Sequence, residues 1–223
     1  MLGVGPHERI SEMQIHFWFE FASTYSYPAA LRVEQVASQQ GIKVNWRPFL
    51  LGPIFKAQGW ADSPFNIYPA KGRYMWRDLE RVCADVGLPF RRPSSFPRNG
   101  LLASRIACHF CGAPWQPEFV RAIYRANFAE DQDIGAAETV AACLRSVGQE
   151  PESVLLAAES SDAKNGLRKQ NEEAGQLGIF GAPSFVVGAE LFWGNDRLES
   201  AMSWCVAHAA QPTHAGDARN ARA

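Results

Sequence analysis

The 223-residue sequence lacks any run of about 18 apolar residues, the length that a membrane-crossing helix needs. It also lacks a concentrated basic segment: the formal net charge is −1, and lysines and arginines form no long run. A nucleic-acid-binding protein needs such a basic footprint. The composition therefore predicts no nucleic acid and no membrane as partners. With 47% hydrophobic residues, the chain suits one globular domain of moderate size or a domain with an insertion.

Cysteine is scarce and odd in number, with five residues in the whole chain. An odd count in a chain of this length argues against a secreted disulfide scaffold, and we expect a reducing cytoplasm. Cys108 and Cys111 form a Cys-x-x-Cys pair, but late in a helical pattern and without a second pair to complete a zinc site. Their predicted role is packing, with redox chemistry or metal binding as the alternatives.

The two ends of the sequence are polar. The first segment, 1–13, has no apolar signal core and is predicted to be a disordered leader. The last segment, 210–223, has the composition of a frayed tail.

Alternating and helical patterns follow each other between the two ends. Apolar residues alternate with other residues over 15–21, which predicts a strand. They recur at helical spacing over 30–37, and Gly41 is a helix stop. Residues 43–50 form a second strand pattern, so the order predicts a parallel βαβ unit.

A long helical block separates this unit from two further strands. Residues 70–177 are mostly helical in pattern, with short proline and glycine breaks. Short apolar runs at 184–187 and 190–193 flank a two-residue turn, which predicts a hairpin. Asn195 and Asp196 can then cap a last helix. The apolar stripe of that helix is predicted to contain Leu198, Met202 and Val206.

These patterns predict an α/β fold with a thioredoxin-like core, ordered βαβ…ββα and split by a large all-helical insertion. The core takes residues 14–52 and 178–209, and the insertion takes residues 53–177.

The corner between the first strand and the first helix carries serine at two positions, in the stretch FASTYSYP. Redox proteins of this fold carry Cys-x-x-Cys there, so Ser23 and Ser26 replace both redox sulfurs. A helix start favours negative charge. A serine hydroxyl can donate a hydrogen bond to a thiolate carried by another molecule, and glutathione is the simplest candidate. The alternative is that Ser23 only caps the helix.

Two further segments point to a peptide-like ligand. In FGAPSF, Pro183 before an apolar strand favours a tight cis turn that exposes the N–H and C=O of Ala182. Those groups can pair with an extended peptide, although the proline can also simply open an edge strand. In FWGNDR, Asp196 can receive an ammonium group or act as a cap.

Together these motifs resemble the DsbA-like 2-hydroxychromene-2-carboxylate isomerases and the related kappa-class glutathione transferases. The resemblance spans residues 14–206 and lies in three stretches: FEFASTYSY, SPFNIYPAKGRYMWRDLER and IFGAPSFVVGAELFWGNDRL. It implies glutathione as cofactor, a small aromatic acid as second substrate, and a homodimer.

The resemblance also implies the residues of the site. It places Ser23 at the sulfur and the backbone of Ala182, before Pro183, at the cysteinyl part of glutathione. It places Asn66 and Lys71 near the polar ends of the tripeptide. It places Asn195 and Asp196 near the γ-glutamyl group, with Trp193 and Gly194 in the same turn. It places Phe55, Lys56 and Phe96 toward the second substrate.

Two departures from the family pattern stand out. Thr24 occupies the position where much of the family has a proline after the serine. In SSFPRNGLLASR no arginine matches the group that reads the aromatic acid, and Arg98 or Arg105 is the expected substitute.

The resulting hypothesis is a glutathione-dependent isomerase of an aromatic-degradation intermediate such as 2-hydroxychromene-2-carboxylate, in which Ser23 stabilises the thiolate. Two alternatives remain: a kappa-like transferase that conjugates electrophiles, and a redox-inert binding protein.

Overall fold

The computed structural model describes residues 13–209, so the predicted tail and all of the predicted leader except Met13 lie outside the described residues. The strands are β1 (Gln14–Phe19), β2 (Lys43–Pro48), β3 (Ser184–Val187) and β4 (Glu190–Trp193). The helices are α1 (Ser26–Ser38), α2 (Leu51–Ala57), α3 (Pro64–Ile67), α4 (Pro69–Asp85), α5 (Leu101–His109), α6 (Gln116–Phe128), α7 (Ala137–Ser146), α8 (Pro151–Ala158), α9 (Ser161–Gln176) and α10 (Leu198–Ala209).

The four strands form one mixed sheet in the order β2-β1-β3-β4. β1 runs parallel to β2, with Phe17 opposite Trp46, and antiparallel to β3, with Phe17 opposite Phe185. β3 and β4 form the predicted hairpin, in which Val187 pairs with Glu190 across Gly188 at φ +60°. The order βαβ…ββα confirms the predicted fold class.

β1 packs against other parts of the protein on both of its faces. Successive side chains of a strand point to opposite sides of the sheet, and those of Phe17, Trp18 and Phe19 are all buried. Phe17 and Phe19 belong to a large aromatic cluster that includes Tyr124 of α6. Trp18 packs on the other face against Phe49. Since α6 shares its buried cluster with the strands, the helical block and the sheet have a common core, which fixes the loops between them.

The end of the chain differs from the prediction in two details. Asn195 and Asp196 lie in a 3-10 turn, and α10 starts after it at Leu198. Val206 is 42% exposed, whereas Cys205 is buried, so the predicted stripe is wrong at its last position. At 3.6 residues per turn, two turns of the helix after Leu198 bring Cys205 to the same, core-facing side. Val206 follows one residue later and points away from the core. Among the described helices, none is long and apolar enough to cross a membrane.

Candidate active site

A cavity of about 900 Å³ lies between the serine corner, the segment before β3, and the helical block. We call the stretch Phe21–Ser26 the serine corner. The volume is near the upper end of the range for ligand pockets, roughly 300–1,000 Å³. It leaves room for more than one small molecule.

Ser23 is the serine of this corner that lines the cavity. The Ser23 hydroxyl donates a hydrogen bond to the carbonyl oxygen of Ala182 over 2.8 Å, joining positions 159 residues apart. The main-chain N–H of Ser23 donates to the Glu20 carbonyl at 3.0 Å. α1 starts three residues later, and Tyr25 stands at its cap position without a side-chain cap bond. Ser23 therefore does not cap α1, and its hydroxyl is held at the cavity instead.

The second serine of the corner is placed differently. Ser26 is the first residue of α1 and is fully buried. Its hydroxyl oxygen has no hydrogen-bond partner within residues 13–209. Thr24, which stands in the family's proline position, lines the cavity and is 2% exposed, and its carbonyl accepts from the Tyr27 N–H at 3.2 Å. Of the two serines at the Cys-x-x-Cys positions, Ser23 lines the cavity and Ser26 does not.

The segment before β3 has the predicted cis turn. The Ala182–Pro183 peptide bond is cis, and the Pro183 carbonyl accepts from the Gly194 N–H at 2.9 Å. In the part of the chain that the structure describes, no hydrogen bond is donated by the Ala182 N–H. Trp193 packs against Gly181 so closely that a Cβ there would lie 2.4 Å from its indole nitrogen. The turn thus leaves a backbone N–H of Ala182 available beside Ser23.

The predicted ligand residues divide into two groups. Within the cavity wall lie Ser23, Phe55, Lys71, Phe96, Ala182, Trp193 and Gly194. Outside the wall lie Lys56, Asn66, Pro183, Asn195 and Asp196.

Two residues outside the wall still contact its rim. The Asn66 amide donates to both carboxylate oxygens of Asp62, at 3.2 and 3.1 Å, and Asp62 lines the cavity. Asp196 forms an exposed ion pair with Arg197 at 2.9 Å. Its carboxylate lies against Gly194, where a Cβ would be 2.5 Å from Oδ1. Glycine at position 194 therefore permits the acid to sit at the rim.

Neither candidate arginine offers a free guanidinium to the cavity. Arg98 donates to the carbonyls of Asn127 at 3.2 Å and Gln132 at 2.8 Å, and it pairs with Asp131. Its side chain is 4% exposed, so the guanidinium is fully used inside the protein. Arg105 pairs with Glu159 at 3.0 Å and lines a separate groove of about 640 Å³.

The sequence reasoning missed a carboxyl group in the cavity wall. Glu20 directly follows β1, is 7% exposed, and accepts a hydrogen bond from the Ala22 N–H at 2.9 Å through Oε2. Burial raises the pKa of this carboxyl to about 8, although the N–H groups of Ala22 and Ser23 act in the opposite direction. The available signal was a single acid inside the apolar run FWFEF.

The apolar side of the cavity was also only partly foreseen. Besides Tyr25 and Trp193, the cavity wall contains five aromatic residues, which we call the acceptor wall: Phe55, Trp60, Phe65, Phe96 and Phe180. The Phe55 and Trp60 rings lie 5.5 Å apart, and Phe180 packs edge-to-face on Trp193 at 4.8 Å. Such a surface suits an aromatic ligand.

Cys108 and Cys111 lie outside this cavity and are free thiols. Cys108 is in the last turn of α5, where burial raises the pKa of its thiol to about 11. A thiol of that pKa carries almost no thiolate at pH 7.

Residues 14–203 match the family model of the DSBA-like thioredoxin domain. The chain belongs to this family. Within it, the chain is 30% identical over 186 residues to a 2-hydroxychromene-2-carboxylate isomerase of Sphingobium xenophagum, covering 83% of this chain and 94% of that protein. It is 25% identical over 202 residues to glutathione S-transferase kappa 2 of Caenorhabditis elegans, covering 82% and 88%.

The solved structure of a 2-hydroxychromene-2-carboxylate isomerase superimposes with a TM-score of 0.77 at 26% identity, covering 86% of this chain and 95% of that one. The relatives of this DsbA-like protein are thus isomerases and glutathione transferases, which supports an enzyme of that kind.

Proposed function

We propose that this DsbA-like protein is a glutathione-dependent isomerase that acts on a conjugated aromatic acid such as 2-hydroxychromene-2-carboxylate. One observation carries the proposal: the Ser23 hydroxyl and the backbone of Ala182 meet at 2.8 Å in the wall of a 900 Å³ cavity. A cysteinyl ligand needs both groups, a donor for its sulfur and a backbone edge for its peptide groups.

The Ser23 hydroxyl changes its acceptor when glutathione binds. In the free protein it donates to a neutral carbonyl, a bond that contributes about 0.5–1.5 kcal/mol, whereas a bond to a charged group contributes about 1.5–3 kcal/mol. The exchange therefore gains about 1 kcal/mol in favour of the thiolate, which lowers the thiol pKa by about 0.7 from roughly 8.5. The amino-terminal end of α1, three residues on, adds to the same effect.

The reaction follows from a thiolate held beside the acceptor wall. The sulfur adds to a carbon of a double bond conjugated with a carbonyl, and the displaced electron pair moves to the carbonyl oxygen. The former double bond is now single and rotates. When the electron pair returns, the carbon–sulfur bond breaks and the thiolate is regenerated. After ring opening of the chromene, this sequence yields a trans-benzylidenepyruvate, and no glutathione is consumed.

The rim residues are assigned to the charged ends of glutathione. Lys71, in the first turn of α4, is exposed and lies with its Nζ 4.8 Å from the centre of the Tyr68 ring. Its ammonium group is available for a carboxylate of the tripeptide. Asp196, whose carboxylate lies against Gly194 of the cavity wall, is assigned to the γ-glutamyl ammonium group.

A second candidate is a transferase that conjugates glutathione to an uncharged electrophile. The arginine geometry favours it, because Arg98 is buried and paired with Asp131, and Arg105 is paired with Glu159 outside the cavity. An acceptor without a carboxylate would not need either guanidinium.

Product analysis tests the proposal and separates the two candidates. The protein is incubated with 2-hydroxychromene-2-carboxylate and one tenth of an equivalent of glutathione. We expect many equivalents of the trans-benzylidenepyruvate per glutathione, up to the equilibrium mixture, with glutathione recovered unchanged. Absence of conversion, together with stoichiometric conjugation of a chlorodinitrobenzene, would identify the transferase instead. Glutathione binding without either reaction would leave the redox-inert binding protein.

A further inference from the structure

The mechanism above leaves one buried acid of the cavity without a role. Glu20 lines the cavity three residues before Ser23 and is 7% exposed. Its main chain is fixed from two sides: its carbonyl accepts from the Ser23 N–H at 3.0 Å and from the Tyr124 hydroxyl at 2.8 Å. The position of Glu20 relative to the serine corner is therefore rigid.

Among the described residues, only one of the two carboxyl oxygens of Glu20 accepts a hydrogen bond. Oε2 accepts from the Ala22 N–H, whereas within residues 13–209 no protein donor is bonded to Oε1. Oε1 lies under the loop that leads into α5, because a Cβ on Gly100 would be 3.6 Å from it. The free oxygen thus lies near Gly100, which also lines the cavity and directly precedes α5.

The surroundings of Glu20 contain no charge that would hold it ionised. The titratable group that faces it from α6 is Tyr124, whose own pKa is raised by burial and by the charge of Glu20. The other charged residues of the cavity wall are Asp62, Lys71 and Arg98, and none of them pairs with Glu20 in the described chain. Burial dominates, so Glu20 is a neutral acid at pH 7, with a pKa of about 8.

A neutral acid at this place suits the reaction in two ways. It adds no negative charge beside the thiolate that Ser23 stabilises. It also carries a proton at the moment when addition moves an electron pair onto the carbonyl oxygen of the acceptor. Carboxylic acids kept neutral in apolar sites stabilise enolates by donation in this manner.

We propose that Glu20 is the catalytic acid of this enzyme, donating its proton to the carbonyl oxygen of the acceptor as the thiolate adds. The carbon–sulfur bond forms, the π electron pair moves to oxygen, and the Glu20 proton completes an enol. After rotation the Glu20 carboxylate takes the proton back, the double bond re-forms, and the carbon–sulfur bond breaks. No net proton is exchanged with solvent. This role rests on the proposed function, since it needs a bound thiolate.

The test measures kcat/KM against pH for the wild type, Glu20→Gln and Glu20→Asp, with glutathione saturating. Glutamine keeps the size and the acceptor for the Ala22 N–H but has no acidic proton. We expect a bell-shaped wild-type profile whose alkaline limb has its midpoint near pH 8, since Glu20 then loses its proton. In Glu20→Gln we expect a loss of about 100-fold and no alkaline limb. Glu20→Asp should recover part of the rate together with the alkaline limb.

Thiolate absorbance in the ultraviolet, measured on the same variants, keeps the outcomes apart. We expect Glu20→Gln to form bound thiolate as the wild type does. Wild-type turnover with an unchanged alkaline limb in Glu20→Gln would overturn the catalytic acid alone. Loss of turnover in parallel with loss of thiolate would also overturn it, because Glu20 would then act on the thiol. Absence of thiolate in the wild type would overturn the proposed function itself.

Discussion

The serine corner and the acceptor wall belong to one cavity and are held in different ways. Ser23 is 9% exposed and is joined by hydrogen bonds to Glu20 and Ala182, both adjacent to strands of the sheet. Trp60 is 37% exposed and is held by a ring contact to Phe55 and a backbone bond to its carbonyl. One side is fixed by the buried core, and the other side rests on loops and a short helix.

From this difference we expect the serine corner to determine the chemistry and the acceptor wall to determine which second substrate is accepted. Ser23 and Ala182, the groups proposed to hold the thiol, are joined by a contact between segments next to β1 and β3, so they cannot shift without disturbing the fold. The acceptor wall consists of apolar side chains, proposed to contact the second substrate by area and shape, and such contacts vary without loss of the core. Changes on one side should therefore leave the other side intact.

Replacing Ser23 should have the largest effect, because it reaches every acceptor. In Ser23→Ala the thiolate loses the advantage of about 1 kcal/mol that the hydroxyl gives it, so we expect turnover to fall at least about fivefold for every acceptor. The KM of the acceptor should stay unchanged, because the acceptor wall is untouched. Steady-state kinetics with two acceptors of different size measure both quantities.

Ser26→Ala is the matched control for this prediction. It removes the hydroxyl of the second serine of the corner, which is fully buried and does not line the cavity. We expect wild-type turnover. Equal losses in both variants would mean that the corner matters only for folding.

Replacing Trp60 should have an intermediate effect confined to the acceptor. Trp60→Ala removes about 1–2 kcal/mol of apolar contact, so we expect the KM of an aromatic acceptor to rise about 5- to 30-fold. Bound thiolate should be unaffected. Trp204→Ala is the control, because Trp204 is also 37% exposed but lies on α10, outside the cavity. A loss of thiolate in Trp60→Ala would break the separation between the two sides.

Replacing Lys71 should have the smallest effect. The residue is exposed, and an exposed ion pair contributes about 0.2–1 kcal/mol, so Lys71→Met should raise the KM of glutathione about 1.5- to 5-fold. The increase should shrink at high salt, because screening already weakens the pair. Lys164→Met, which removes an exposed charge on α9, is the control. A rise in the acceptor KM instead would move Lys71 to the acceptor side.

The sequence predicted the positions of Ser23 and the cis turn better than it predicted the acceptor wall. Ser23 and the cis turn at Pro183 each stand at the junction of a periodic pattern with a turn, so local rules located them. The bond between Ser23 and Ala182 depends on strand pairing across 159 positions, and the βαβ…ββα order was sufficient to bring them together.

The acceptor side resisted prediction because its residues come from segments without periodicity. Trp60 and Phe180 stand in connections between helices and strands, where no pattern indicates which way a side chain points. Arg98 was predicted, with Arg105 as the alternative, to bind the carboxylate of the substrate. Its actual partners, Asn127 and Asp131, follow about thirty residues later in the chain, so only the tertiary structure reveals that its guanidinium is already bonded. Glu20 was taken as one position of a strand alternation, although β1 ends one residue earlier.

The most direct test of the central claim is a glutathione titration followed by ultraviolet absorbance of the thiolate, on the wild type, Ser23→Ala and Ser26→Ala. We expect saturable binding with a thiolate signal in the wild type and in Ser26→Ala, and a signal about fivefold smaller in Ser23→Ala at pH 7. No binding at millimolar glutathione, or an unchanged signal in Ser23→Ala, would contradict it.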